Sequence, residues 1–183
     1  DTTKALQQAA AWYRSLFDVK IVGITGSVGK TTTKEMIAAA LSTKYNVLKT
    51  KGNMNSQIGL PLMMFYLEED IQVAVIEMGM SYKGELSRLT NIVKPNIAVI
   101  TNIGTSHIGN LGSRENILKA KLEILEGLNK NGKVTGVERI GNCQKSGRII
   151  WIKTLKDGSY IINGTFGDNV EFSEDDTESQ EKI

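Results

Sequence analysis

The chain has 183 residues, 40% of them hydrophobic and 23% charged, which suits one domain with a buried core and excludes a disordered tail. Its 22 basic and 20 acidic residues leave a net charge of +2, so the overall charge indicates neither a nucleic acid nor an anionic membrane as a partner. A single cysteine and the absence of a long apolar run predict a cytoplasmic protein without a membrane-inserted segment. We expect a monomer.

A helical pattern opens the chain. Thr2 or Thr3 can cap a helix that runs to about Phe17. Its apolar residues at helical spacing are Leu6, Ala10, Tyr13 and Leu16. Because the helix starts at once, we expect the chain to be a piece of a longer protein, with residues 1–18 as a linking helix that leads into the domain proper at residues 19–183.

Strands and helices then alternate four times. The predicted strands are 20–24, 46–48, 73–76 and 97–100, and the helices that follow them are 30–45, 60–67, 85–93 and 115–128. The strands are apolar throughout, which is typical of a mostly parallel sheet with helices on both faces. We therefore predict an α/β fold with three αβα layers. In the helix 30–45, we expect one apolar face, made of Met36, Ile37, Ala40 and Leu41.

The pattern changes after Val134. Residues 149–152 and 160–162 are predicted to form a hairpin around a turn at 156–158. The end of the chain after Ser173 is acidic and predicted to be solvated. Residues 134–183 thus read as a small antiparallel β extension with an acidic end.

A glycine-rich turn joins the first predicted strand to its helix, where backbone N–H groups and a lysine can converge on a polyphosphate. It is a variant phosphate-binding loop, because the strict motif has glycine where Ile24 stands, but its Gly29-Lys30-Thr31 core is intact. Lys30 would reach the β and γ phosphates, and the Thr31 hydroxyl would bind Mg²⁺. The residues expected to bind the nucleotide are Thr25, Gly26, Ser27, Gly29, Lys30, Thr31 and Thr32.

Two further candidates follow predicted strands, so they belong at the same carboxyl edge of the sheet. Glu77 comes directly after the third strand and can hold a metal ion, or it is simply a surface glutamate. His107, the only histidine, lies in the loop after the fourth strand. It is a metal ligand, a phosphate contact or a solvated loop residue.

Lys121 interrupts an apolar stripe. Its neighbours three and four residues away are Ile117, Leu118, Ile124 and Leu125. A buried ammonium is costly, so Lys121 extends to solvent, loses its proton, pairs with an acid or is chemically modified. Lys119, by contrast, has Glu115 and Glu123 four residues away and is predicted to be a solvated, ion-pairing residue.

Five motifs in order resemble the Mur ligase family, over about residues 1–134. They are residues 23–34 (GITGSVGKTTTK), 52–61 (GNMNSQIGLP), 77–81 (EMGMS), 101–107 (TNIGTSH) and 120–124 (AKLEI). Within the family, the runs 52–55, 77–81 and 111–115 most resemble the members that add D-alanyl-D-alanine to UDP-N-acetylmuramoyl-tripeptide. The chain is similar to the central, ATP-binding domain of such a three-domain ligase.

The resemblance implies an ATP- and Mg²⁺-dependent ligase that works through an acyl phosphate, in peptidoglycan synthesis. It implies Lys30, His107 and Lys121 as catalytic residues, and Thr31, Glu77, His107 and Lys121 at the metal sites. The loop 52–57 is by itself only a turn signal, but it is rich in amides that could contact polar groups of a ligand, so Asn53 and Asn55 are expected at the substrate. Lys121 matches the lysine that the family carbamylates. The segment 135–138 (TGVE) departs from the family pattern, so no role is carried over beyond Lys121.

Three other functions are open on sequence grounds. A GTPase-like switch would need a guanine-reading Asn-Lys-x-Asp motif, and the nearest match, at 129–132 (NKNG), lacks the aspartate. A sister ligase that extends folate or a polyamide would use the same loop and lysine. A nucleotide-binding module without catalysis is the third.

Overall fold

Five strands form one sheet in which every neighbouring pair is parallel. The computed structural model describes residues 1–129, 132–136, 151–154 and 160–163. The strands are β1 (Lys20–Thr25), β2 (Val47–Lys49), β3 (Val73–Glu77), β4 (Ile97–Ile100) and β5 (Lys133–Gly136). Their order across the sheet is β2-β3-β1-β4-β5. The predicted parallel α/β fold is confirmed.

Helices connect these strands. They are α1 (Thr2–Ser15), α2 (Lys30–Ser42), α3 (Gly59–Met64), α4 (Glu85–Val93), α5 (Ile108–Leu111) and α6 (Arg114–Leu122), with a 3₁₀ helix at Glu123–Gly127. The short α5 was not predicted from the sequence. The cap of α1 is Asp1, whose side chain accepts from the Lys4 N–H, so the expected cap at Thr2 or Thr3 is wrong.

The helix predicted at 115–128 is in fact two segments, since α6 ends at Leu122 and the next turns are 3₁₀. Contacts with α4 explain the change. The Thr90 hydroxyl donates to the Ile124 carbonyl over 2.7 Å, and an added Cβ at Gly127 would collide with the Thr90 backbone. Tertiary packing thus overrides the helical pattern in this segment.

The sheet is covered on both faces, because side chains alternate along each strand. On one face, Val22, Ile24, Val75 and Val99 pack with Ala38 of α2. On the other, Ile21, Ala74, Ile76, Ala98 and Ile100 join the core formed with α1, α3, α4 and α6. The three predicted αβα layers are therefore present.

Two expected apolar faces differ from those observed. In α2, Met36 is 69% exposed and Ala40 is also exposed, whereas Lys34 and Ala38 are buried, with Ile37 and Leu41 partly buried beside them. The buried stripe is thus rotated from the expected one and includes a lysine. In α1, Ala10 is buried, but Leu16 is 57% exposed. The role of α1 as a linker between domains stays a prediction.

Two more strands, β6 (Trp151–Thr154) and β7 (Tyr160–Asn163), pair antiparallel as expected of the hairpin. The expected turn at 156–158 and the acidic end after Ser173 lie outside the described residues. Among the helices that are described, none is long and apolar enough to cross a membrane.

The strand order places a ligand-binding crevice at the carboxyl edge of the sheet. Neighbouring strands β1 and β4 lead into connections that run in opposite directions, β1 through α2 towards β2 and β4 through α5 and α6 towards β5. Diverging connections open a crevice at the carboxyl ends of the strands, where α/β sheets bind ligands. The phosphate-loop motif and the loop with His107 both begin there.

Candidate functional site at the carboxyl edge of the sheet

The phosphate loop joins β1 to α2 through two glycines with positive φ. Gly26 has φ 147°, and a side chain there would collide with Thr101. Gly29 has φ 82° and is the first, capping residue of α2. Only glycine adopts these angles readily. The conformation of the loop therefore depends on these two glycines, which the phosphate-loop motif contains.

The first amides of α2 are available to a ligand. In the described part of the chain, the N–H groups of residues 29–32 have no hydrogen-bond partner. Lys30 folds back over the loop, and its Nζ donates to the Gly26 carbonyl over 2.9 Å. Burial lowers the pKa of Lys30, an effect that the negative charge of Glu77 partly offsets. Free amides and a lysine at a helix N-terminus are the requirements of an anion site.

Glu77, the last residue of β3, lies beside the loop. Only 3% of the residue is exposed, so the alternative of a surface glutamate is wrong. Its Oε2 accepts from the Thr31 hydroxyl over 3.0 Å, and its Oε1 accepts from Asn55 Nδ2 over 2.8 Å. Two of the four predicted metal ligands, Thr31 and Glu77, are thus in direct contact.

Two residues that the sequence argument missed hold Glu77 in place. Its backbone N–H donates to the Thr50 hydroxyl over 2.8 Å. The Thr50 carbonyl in turn accepts from Lys34 Nζ over 3.0 Å, and Lys34 is only 2% exposed. The burial of Lys34 could have been predicted from the sequence, because Ile37, Ala38 and Leu41 lie near it at helical spacing. The same kind of apolar neighbourhood drew attention to Lys121.

A third missed residue, Asn102, contacts the loop from β4. Its Oδ1 accepts from the N–H groups of Ser27 and Val28 over 3.1 and 2.9 Å. The Ser27 amide, one of those expected to bind phosphate, is therefore already paired. Thr25, also expected at the nucleotide, is fully buried at the end of β1 and its hydroxyl has no partner among the described residues.

Lys121 is 2% exposed, so the alternative in which its amine extends to solvent is wrong. Within the described ranges, no acid or hydrogen-bond partner meets this amine. Burial, and next the positive charge of Lys30, lower the pKa of Lys121 to about 8. This electrostatic effect indicates that the amines of Lys30 and Lys121 lie near each other; the role of Lys121 at the site stays a prediction.

The lysine two residues earlier behaves as predicted. Lys119 is exposed and pairs with Glu115 one helical turn away. The expectation that Glu123 is a second exposed partner is wrong, because this glutamate is 6% exposed and its carboxylate accepts from the Gly84 and Ser87 N–H groups at the start of α4. A carboxylate at a helix N-terminus is favourable, which explains the difference.

Two predicted site residues remain apart from this cluster. His107 is exposed with φ 66°, and its ring makes no hydrogen bond with the described residues. Asn53 is also exposed, and its carbonyl accepts from the Asn55 N–H. Their roles at a metal and a substrate stay predictions.

The oxygen atoms of Thr31 and Glu77 suit Mg²⁺, which takes oxygen ligands and is held in nucleotide sites by few protein groups. Among the residues described, no three His, Cys, Asp or Glu side chains form a metal cluster. At the Thr31–Glu77 pair, the protein would supply one carboxylate and one hydroxyl, and the phosphates, water and any further protein ligand would complete the coordination. The residues present fit Mg²⁺ bound together with a nucleotide.

Comparison with known proteins agrees with this geometry. The family model of the Mur ligase middle domain matches residues 24–174. The chain belongs to the Mur ligase family. Residues 24–174 contain the phosphate loop, Glu77, His107 and Lys121.

Among known Mur ligases, the UDP-N-acetylmuramoyl-tripeptide--D-alanyl-D-alanine ligase of Bacillus subtilis (strain 168) is 54% identical over 132 residues, which are 72% of this chain and 29% of that protein. MurF from Acinetobacter baumannii superposes with a TM-score of 0.73 at 41% identity, over 74% of this chain and 30% of that one. MurF from Thermotoga maritima, solved in complex with ADP, gives a TM-score of 0.71 at 36% identity, over 74% and 32% of the two chains. The chain thus spans about 30% of the length of these relatives.

Proposed function

We propose that this chain is the ATP-binding central domain of a ligase that joins D-alanyl-D-alanine to UDP-N-acetylmuramoyl-tripeptide. The observation that carries the proposal is the contact between the phosphate loop and Glu77 through Thr31 at the carboxyl edge of the sheet, together with buried Lys121, whose amine is affected by the charge of Lys30. The 54% identity to a relative of that name favours this reaction over folate or polyamide extension. Such a ligase works in the cytoplasm, where ATP is available.

The proposed reaction has two steps. A carboxylate oxygen of the tripeptide attacks the γ phosphorus of ATP, which forms an acyl phosphate and releases ADP. The amine of D-alanyl-D-alanine then attacks the acyl carbon, loses a proton and expels inorganic phosphate. Phosphoryl transfer depends on positioning and on stabilisation of charge, which the free amides of residues 29–32 and the Lys30 ammonium supply here.

Thr31 and Glu77 would hold Mg²⁺, which neutralises phosphate charge when bound. Asn55 donates to the Glu77 carboxylate and helps to orient it, and the Thr50 hydroxyl fixes the Glu77 backbone. Asn55, expected at the substrate, thus supports the proposed metal site as well. His107 would approach a second metal ion from the loop after β4, and Asn53 would contact the substrate.

Lys121 would act as a carbamate. Its neutral amine attacks CO₂ and loses a proton, which replaces a cation by a carboxylate. The structure supports this proposal in two ways: the amine is buried without an acidic partner in the described ranges, and its pKa of about 8 leaves part of it unprotonated near neutral pH. The modification would also supply a second oxygen ligand beside Glu77.

The test uses the full-length parent protein and follows phosphate release. We expect release to require ATP, Mg²⁺, the UDP-linked tripeptide and D-alanyl-D-alanine together, and GTP to replace ATP poorly. Release that depends on a folate and glutamate instead, or nucleotide binding without any release, would contradict the proposal. The 183-residue chain alone should bind Mg-ADP weakly and show no turnover, because parts that complete a closed site lie outside it.

A further inference from the structure

We infer that Asn102 is a positioning residue for nucleotide binding, one that fixes the phosphate loop so that the amides of residues 29–32 face the phosphates. The inference rests on the proposed nucleotide-binding role of the loop. It assigns a function to a side chain that neither the motif nor the proposed mechanism uses.

The contacts of Asn102 are specific to the functional backbone of the loop. Its Oδ1 accepts two N–H groups at once, from Ser27 over 3.1 Å and from Val28 over 2.9 Å. Its backbone carbonyl also accepts from Ser27 N over 3.1 Å. One side chain thus pairs two successive amides in the turn directly before Gly29.

The remaining groups of this turn are held by the same segment after β4. The Thr101 hydroxyl donates to the Val28 carbonyl over 2.6 Å, and the Ser106 hydroxyl donates to the Ser27 carbonyl over 3.1 Å. The Ser27 hydroxyl accepts from Gly104 N over 2.8 Å. Residues 27 and 28 are therefore held by hydrogen bonds to residues 101–106, which follow β4. The turn that residues 27 and 28 form sets the direction of the amides that come after it.

The amides of the loop are consequently divided into two sets. Those of Ser27 and Val28 are satisfied inside the protein, whereas those of residues 29–32 have no partner among the described residues. Without the Asn102 side chain, Ser27 N–H would keep only the backbone carbonyl of residue 102, and Val28 N–H would need water or a phosphate oxygen, so the turn would be less firmly held. A preorganised donor set binds an anion more tightly than one that must be ordered during binding.

The chemistry also explains why this residue is an amide. A carboxamide oxygen accepts two N–H groups without carrying a charge. A carboxylate at the same position would accept the same bonds but would repel the phosphates nearby. Asn102→Asp therefore separates the hydrogen bonds from the charge.

A matched control lies at the opposite edge of the same two strands. Asn96 directly precedes β4, and its Oδ1 accepts from Ile21 N of β1 over 2.8 Å. It thus makes the same kind of bond between the same strands, but at the end remote from the loop. Loss of Asn96 should affect folding alone.

The experiment compares full-length wild-type protein with Asn102→Ala, Asn102→Asp and Asn96→Ala, by calorimetric Kd for Mg-ADP and by Tm. We expect Asn102→Ala to weaken Mg-ADP binding up to about tenfold, the fold-change that one net hydrogen bond can amount to, because Ser27 N–H keeps the backbone carbonyl of residue 102 and Val28 N–H loses its acceptor. Asn96→Ala should lower Tm yet keep Kd within about twofold of wild type. Asn102→Asp should keep Tm near wild type and weaken binding, most strongly at low salt.

Two results would overturn the inference: Asn102→Ala binding Mg-ADP as well as or better than wild type, or Asn96→Ala weakening it equally. If Asn102→Ala does not fold, the Kd of Asn102→Asp for Mg-ADP tests the inference instead. A Kd equal to that of wild type at low salt would then count against it. A wild-type protein that binds no Mg-ADP would instead overturn the nucleotide-binding role itself, so the two failures are distinguishable.

Discussion

The Thr31 hydroxyl donates a hydrogen bond of 3.0 Å to the Glu77 carboxylate. Thr31 belongs to the first turn of α2 and Glu77 to the end of β3, so the bond joins the phosphate loop to the neighbouring strand. Two oxygen atoms at this distance can share one Mg²⁺, with the hydrogen bond replaced by coordination. This relationship makes the proposed Mg²⁺ site testable.

Glu77→Gln should raise the Mg²⁺ concentration needed for half-maximal activity of the full-length protein, by about tenfold or more, because it removes the charge of a ligand while it keeps the shape. The measurement is a Mg²⁺ titration of phosphate release at saturating ATP. Glu115→Gln, which loses only the exposed pair with Lys119, serves as the control and should titrate as wild type does. Equal titrations for Glu77→Gln and wild type would remove Glu77 from the metal site.

Lys30→Ala should lower kcat by about 10²–10³-fold, because a cation aimed at the transferred phosphoryl group stabilises charge that develops in the transition state. Steady-state kinetics with ATP as the varied substrate measures it. The control is Lys44→Ala, which removes an exposed lysine at the end of the same helix region and should be silent. Near-normal kcat in Lys30→Ala would show that the loop does not act on the phosphoryl group.

Lys34→Met should destabilise the chain by about 1–2 kcal/mol, because it leaves the buried Thr50 carbonyl without its donor. The apolar methionine recovers part of the loss, since burying an ammonium is itself unfavourable. Urea unfolding at pH 7 measures the effect as a lower midpoint at unchanged slope. Lys49→Met, which removes only a surface pair with Glu35, should shift the midpoint far less.

Much of the fold could be predicted from local patterns. The strands are apolar throughout and the helices follow at regular intervals, so the parallel sheet and its layers could be read directly. Errors arose where tertiary contacts decide local structure. Met36 is exposed because the buried stripe of α2 runs through Lys34, and the helix after Ser113 tightens to 3₁₀ where it meets Thr90.

The site divides in the same way. Lys30, Thr31 and Glu77 could be found because a motif or a strand end marks each of them. Asn102 lies in the quoted run 101–107, but its contact with the phosphate loop could not be predicted, because it depends on β4 lying next to β1, and the order of strands in a sheet is a long-range property that no local pattern encodes. Lys34 has an apolar helical neighbourhood, as Lys121 has, so its burial could have been predicted from the sequence.

Lys121 should make stability depend on pH. Its pKa is about 8 in the folded chain against an ordinary value of 10.5, so between these values the unfolded state binds more protons and stability rises with pH. Below pH 8 the buried ammonium imposes its full cost. Lys121→Met should therefore be more stable than wild type at pH 7, by about 1–3 kcal/mol, and the difference should shrink towards pH 10.

Urea unfolding in CO₂-free, metal-free buffer across this pH range measures the difference for Lys121. Lys119→Met is the control, because its exposed partner Glu115 gives it little energetic weight. If the difference in unfolding free energy between wild type and Lys121→Met stays constant from pH 7 to pH 10, the pKa of Lys121 is not lowered in the folded chain.

Carbamylation of Lys121 gives the last prediction. Lys121→Ala should abolish most activity of the full-length protein, because it removes the buried amine that would carry the proposed carbamate, whereas Lys119→Ala should be nearly silent. The alanine variant leaves a gap in a buried site, so a short carboxylic acid in the buffer should enter it and restore part of the turnover. Formate and acetate should rescue and the corresponding amides should not, since only a carboxylate can replace the lost oxygen ligand. Full activity in Lys121→Ala, or rescue by the amides as good as by the acids, would refute the carbamate.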